Sequence, residues 1–124
     1  MSHNSYTIDH VQTAIPVGGE AVARGFYGVL IGLAEIPKPT DMAARGGCWF
    51  AVGDLQLHLG VEEGFIPAKK AHVALCTDAL GVLRERLNVA GHSTTDDTPV
   101  NGRERFFAQD PFGNRVEFIA ALTC

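Results

Sequence analysis

Polar and apolar positions alternate along residues 115–120. Arg115, Glu117 and Ile119 share one face, and Val116, Phe118 and Ala120 share the other. Period-2 alternation is the signature of a strand. The Asp-Pro-Phe-Gly-Asn run at 110–114 is turn chemistry, because proline presets φ while glycine and asparagine accept the left-handed region. One face of this final strand is ready for a core. The other carries a mid-strand carboxylate, Glu117, and a bare charge is costly to bury.

The same alternation recurs upstream. Residues 6–14 read as a strand with Ile8, His10 and Gln12 on one face. In residues 20–33, Val22, Phe26, Val29 and Leu33 recur at helical spacing, and Gly32 is placed to end the helix. Pro37 and Pro39 predict an irregular or edge segment. Residues 48–52 and 55–61 read as two strands joined at Gly53-Asp54, or as one long bent strand, with Leu55, Leu57 and Leu59 on one face and Gln56 and His58 on the other. After a linker at 62–69, residues 71–76 form a strand that turns Val73 and Leu75 one way and His72 and Ala74 the other. Thr77 or Asp78 can cap a helix carrying Leu80, Leu83 and Leu87, which ends near Gly91. A short strand at 93–97, a turn at 99–102 and a strand at 103–109 lead into the last hairpin.

This order is a repeat. Strand, helix and hairpins occur twice, with Ile8-Asp9-His10-Val11 answered about sixty residues later by Lys70-Ala71-His72-Val73. Trp49-Phe50 is answered by Phe106-Phe107, and His58 stands where Glu117 stands in the second copy. The expected architecture is α+β, with two βαβββ modules forming a paired, cupped mixed sheet and helices on the outside. Module one covers about 6–61 and module two about 70–121 of a single domain, 1–124.

In each module the strand faces turned away from the helix carry His10 and His58, then His72 and Glu117. Three imidazoles and a carboxylate are a donor set for a divalent transition metal. Taken singly, each histidine also fits a hydrogen-bonded strand residue, and Glu117 an ion pair with Arg115 or Arg105. Their joint placement weakens that alternative and leaves the metal site open beside it.

Composition narrows the classes. A formal charge of −4 with scattered basic residues points away from nucleic acid and anionic membrane as partners. No apolar run approaches the roughly 20 residues of a membrane span, and the first nine residues are too polar for a secretory signal. The expected compartment is therefore the cytoplasm. Cys48, Cys76 and Cys124, without CxxC spacing, read as reduced thiols. His3 and His92 read as bystanders.

The paired βαβββ pattern, the His-Val strand openings, Phe-Tyr-Gly-Val-Leu-Ile-Gly-Leu at 26–33 and Asp-Pro-Phe-Gly-Asn-Arg-Val-Glu-Phe at 110–118 together resemble the vicinal oxygen chelate superfamily. Its members include glyoxalase I, fosfomycin and bleomycin resistance proteins and extradiol dioxygenases. The resemblance spans about residues 6–121 and implies metal ligands at His10, His72 and Glu117, with His58 or the same-face Gln56 as the fourth. Glyoxalase I commonly carries a glutamate at that fourth position, and this chain departs from it.

The implied cofactor is one divalent ion per site, of nickel, zinc, cobalt, manganese or iron. The implied function is a glyoxalase-type lyase or isomerase acting on a small molecule that chelates the metal through neighbouring oxygens, with Glu117 moving the proton. Alternatives are a metal-free binding protein that sequesters a drug or toxin, and a thiol-dependent antibiotic-inactivating transferase. Arg115, Phe50 and Gln56 are the expected substrate contacts, and a homodimer is the expected assembly.

Overall fold

Two strand ladders of identical order organise the chain, seen in a computed structural model that describes residues 5–122. His3 and Cys124 lie outside the described residues. The chain divides between Phe65 and Ile66 into two compact units, each a βαβββ module, so the fold is α+β. Among the described residues no helix is long and apolar enough to cross a membrane.

In the first unit, β1 (His10–Ile15), β2 (Ala34–Ile36), β3 (Cys48–Val52) and β4 (Leu55–Val61) form a sheet in the order β1-β4-β3-β2. β1 runs parallel to β4 and the other neighbours are antiparallel. β1 starts later than the alternation predicts, because its pairing with β4 begins at His10 opposite Gln56. Upstream, Tyr6 and Ile8 are exposed.

The helix opens as α1 (Glu20–Ala23) and continues as a wider π-helical stretch, Arg24–Leu30. Its buried stripe is Ala23, Phe26 and Tyr27, whereas Val22 and Val29 are exposed. The expected stripe shares only Phe26 with this face. Turning the helix to bury both adjacent aromatics removes more apolar area from water than the two valines offer.

Phe26, Tyr27, Cys48, Phe50, Leu57, Leu59 and Ile15 form the core of this unit. Gly28 faces this core, where a Cβ would stand 3.4 Å from the Phe50 ring, an ordinary packing distance. Between β2, an edge strand, and β3, residues 37–39 are irregular as the two prolines predict, and a 3-10 turn follows at Thr40–Arg45.

The second unit repeats the plan with β5 (Val73–Thr77), α2 (Leu80–Val89), β6 (Thr94–Asp96), β7 (Arg105–Gln109) and β8 (Arg115–Ala120), ordered β5-β8-β7-β6. Leu80, Leu83 and Leu87 are buried as the spacing predicts. They share a core with Leu75, Phe106, Ala108, Val116 and Phe118. The Thr77 hydroxyl accepts the Ala79 N–H just before α2.

The turn into β8 is built on the buried Asp110. Its Oδ1 accepts the N–H groups of Phe112 at 2.9 Å and Asn114 at 2.8 Å, and its Oδ2 accepts the Asn114 amide at 2.9 Å. Gly113 supplies the positive φ of +93° that completes the reversal. Glu117 thereby enters the sheet in a defined register.

Candidate functional site

Register shows what the repeat places together. Gln12 pairs with His58 on the β1–β4 ladder, and Ala74 pairs with Glu117 on the β5–β8 ladder. Gln12 lies two residues after His10, and Ala74 two residues after His72. His58 and Glu117 are therefore equivalent positions. By the same register Trp49, opposite His58, answers Phe107, opposite Glu117. Gln56 answers Arg115. All of these sit on the sheet face turned away from the helix, because directly paired residues share a face.

In the first unit three rings stack. The Trp49 ring lies 3.8 Å from that of His58 at 0°, and His58 lies 4.2 Å from His10 at 13°. His58 is buried. Burial chiefly, and then the neighbouring His10, lower its pKa, which favours the neutral imidazole that metals require.

Each ring is anchored through one nitrogen. His10 Nδ1 is 2.8 Å from the Asp9 carboxylate, and His58 Nε2 is 2.8 Å from Gln56 Oε1. Both acceptors are oxygens, so those nitrogens carry the hydrogen and the opposite ones, Nε2 of His10 and Nδ1 of His58, are left as lone pairs.

In the second unit His72 Nδ1 donates to the Lys70 carbonyl at 2.9 Å, and its Nε2 meets Glu117 Oε1 at 2.9 Å. Arg105 Nη1 stands 3.5 Å from the same oxygen. The carboxylate is buried, and these two partners compensate it. Of the two arginines expected as partners, Arg105 takes the role. Arg115 instead lays its guanidinium 3.8 Å over the Phe107 ring, with Arg105 at 5.4 Å and the His72 edge at 5.1 Å.

Phe50 is fully buried against the helix, with Tyr27 at 6.1 Å. A ring committed to the core makes no surface for a ligand, and its neighbour Trp49 is the aromatic on the histidine face. Alternation had split this pair without deciding which ring went where. Gln56 is bound to His58 rather than free. Asp9 went unnoticed as a partner of His10, although its place immediately before the histidine was a signal. Among the described thiols, Cys48 is buried and its pKa is raised by that burial, while Cys76 is exposed with Arg103 Nη2 at 2.9 Å.

A histidine that gives one N–H to a carboxylate or carbonyl and keeps the other nitrogen bare has the orientation of a metal ligand. His10 and His58 fit that description, and so does His72 once Glu117 releases its Nε2. The donor set is thus suited to a divalent ion. Among the described residues no group of three or more His, Cys, Asp or Glu side chains stands close enough together to hold a metal ion.

No protein-family model matches the chain, and no curated protein does. Solved structures do. A glyoxalase family protein from Bacillus anthracis is 46% identical, with a TM-score of 0.91 over 97% of this chain and 98% of that one. A glyoxalase/dioxygenase from Nostoc punctiforme is 21% identical, with a TM-score of 0.75 over 98% and 100%. A lactoylglutathione lyase from Agrobacterium tumefaciens is 20% identical, with a TM-score of 0.67 over 95% of each chain. The last two show a shared fold. The first, at nearly half identity along almost the whole of both chains, shows that this chain belongs to the glyoxalase family, within the vicinal oxygen chelate superfamily.

Proposed function

We propose that the protein is a metal-dependent enzyme of glyoxalase type, a lyase or isomerase acting on a small molecule with neighbouring oxygens. His10, His58, His72 and Glu117 would hold the metal. The observation that carries this reading is that His10 and His58 are each fixed through one nitrogen, by Asp9 and Gln56, while His72 is fixed through Nδ1 by the Lys70 carbonyl and meets Glu117, the fourth donor, through Nε2. Gln56 then serves as the orienting partner of His58, and His58 is the fourth ligand. A bound dication supplies Lewis acidity that stabilises negative charge developing on chelated oxygens.

The chain's own residues do the rest. Glu117 carries the proton, since a carboxylate within reach of adjacent carbons can take it from one and return it to the other. Its Oε1 is the oxygen that His72 and Arg105 engage, which leaves Oε2 to receive the proton. Arg105 keeps the carboxylate in place. The Trp49–His58–His10 stack holds two of the donor rings at fixed planes.

Elemental analysis of protein purified without chelator or added metal tests the reading. The expected result is close to one divalent ion per site, abolished by His10→Ala or Glu117→Ala. A metal-free protein whose stability is the same with and without chelator overturns it, and leaves a metal-free small-molecule binder as the better account.

A further inference from the structure

A cleft of about 320 Å³ opens on the histidine face of the first unit. His10, Gln12 and His58 form one side and Trp49 its aromatic surface. The other side is the segment from Lys38 to Arg45, which includes the 3-10 turn. The formally charged residues lining it are Lys38 and Arg45, and no carboxylate is among them. The nearest carboxylates, Glu20 behind Gly46 and Asp9 on the His10 ring, stand outside the lining, so in a chain of net charge −4 the charges that face the cleft itself are cationic. Such a cleft concentrates anions, because its walls focus the field of its own charges.

The donors are held or available. The Lys38 ammonium donates to the Gly46 carbonyl, which fixes it at the mouth and leaves further N–H groups, since an ammonium carries three. Arg45 makes no ion pair or hydrogen bond with any described residue, so its planar fork is uncommitted. That fork matches the paired oxygens of a carboxylate or a phosphonate. The Gln12 side chain lies across Gly60, where a Cβ would come within 2.8 Å of its nitrogen. A glycine at 60 therefore makes room for a neutral donor beside the two charged ones. Met42 and Val61 add apolar surface.

We infer that this cleft binds an oxyanion, a carboxylate or phosphonate group on a small molecule, through Arg45 and Lys38, with the molecule's body against Trp49. That this anion belongs to the substrate rests on the metal-enzyme reading above. The anion site itself does not.

Trp49 is the sole tryptophan of the chain, so its fluorescence reports this cleft alone. The experiment is a titration of the full chain in excess chelator with 2-hydroxybutyrate, methylphosphonate and the uncharged 2-hydroxybutyramide. At least one of the two anions should change Trp49 emission saturably, and the amide should not. Whichever anion binds more tightly names the class. Arg45→Gln should weaken that binding at least tenfold, and Lys38→Met should weaken it too.

Arg45 is exposed and has no partner among the described residues, so its variant remains informative if Lys38→Met disturbs the turn at Gly46. Equal binding of the amide, unchanged affinity in Arg45→Gln, or no saturable response to either anion overturns the inference. A protein that proves metal-free but still binds the anion would sink the enzyme reading and leave this one standing. A metal-loaded protein that ignores the anions would do the reverse.

Discussion

A histidine in a strand is an ordinary residue until both of its nitrogens are accounted for. His10 was legible as a polar side chain on the face away from the helix, but its anchoring was not, because Asp9 is its neighbour in sequence and strand alternation says nothing about adjacent side chains. The Asp9 carboxylate, 90% exposed, lies 2.8 Å from Nδ1. Asp9→Asn should keep the fold and weaken divalent-metal binding by roughly 10- to 100-fold, the usual cost of losing an orienting partner. Competition against a chromophoric chelator measures it. Unchanged affinity would show that Asp9 does not orient the ring. For Glu117, alternation predicted the face and proposed two arginine partners, and the choice of Arg105 over Arg115 depended on distances that no periodicity contains.

Elements in the first unit are tied together by one glutamate and one glycine. Glu20, at the start of α1, accepts the Gly47 N–H at 2.9 Å, where β3 begins. That bond, chiefly, lowers the Glu20 pKa. Because the folded protein keeps Glu20 ionised to lower pH than the unfolded chain does, the resulting stability is fully present above the ordinary glutamate pKa of about 4.3. It is lost as pH falls through that value toward the lower folded one. Glu20→Gln keeps an acceptor and removes the charge. Urea unfolding should therefore show the wild type's advantage over Glu20→Gln at pH 7 shrinking by pH 3, and an advantage that is constant with pH would contradict the linkage.

Gly47 has φ +84°, and a Cβ there would stand 2.1 Å from the Leu59 carbonyl oxygen. Gly47→Ala should cost at least about 2 kcal/mol, from backbone strain plus displacement of β4. A lowered denaturation midpoint at unchanged m would report it. Gly46 and Gly47 stand side by side just before β3. That one of the two is irreplaceable follows only from how close β4 runs.

At the scale of the whole molecule, the chain is one plan used twice. The two ladders share strand order and register, so His58 and Glu117, Trp49 and Phe107, and Gln56 and Arg115 are matched pairs. Identical scaffolds carry different chemistry at matched positions, rings stacked in one unit and a carboxylate with arginines in the other. The proposed divalent metal should stabilise the chain by mass action. At a free metal concentration a hundred times Kd the gain is about 2.7 kcal/mol, which for a domain of this size is a rise of roughly 10 °C in Tm. Chelator should reverse it, and a Tm indifferent to nickel, zinc, cobalt, manganese and iron would speak against the proposed metal.

Alternation and helical spacing alone determined the strand faces, the leucine face of α2, the repeat and the side on which every candidate donor lies. These are one-dimensional properties, since side-chain direction along a strand or helix follows from period. The start of β1 at His10, the rotation of the first helix to bury Phe26 with Tyr27, and the assignment of Trp49 rather than Phe50 to the histidine face were decided by packing. So were the partners of each imidazole and the cationic cleft beside them. Each depends on which atoms of distant segments come within a few ångströms, and that is set by competition among whole elements for buried area and hydrogen bonds, which no single stretch of the chain encodes.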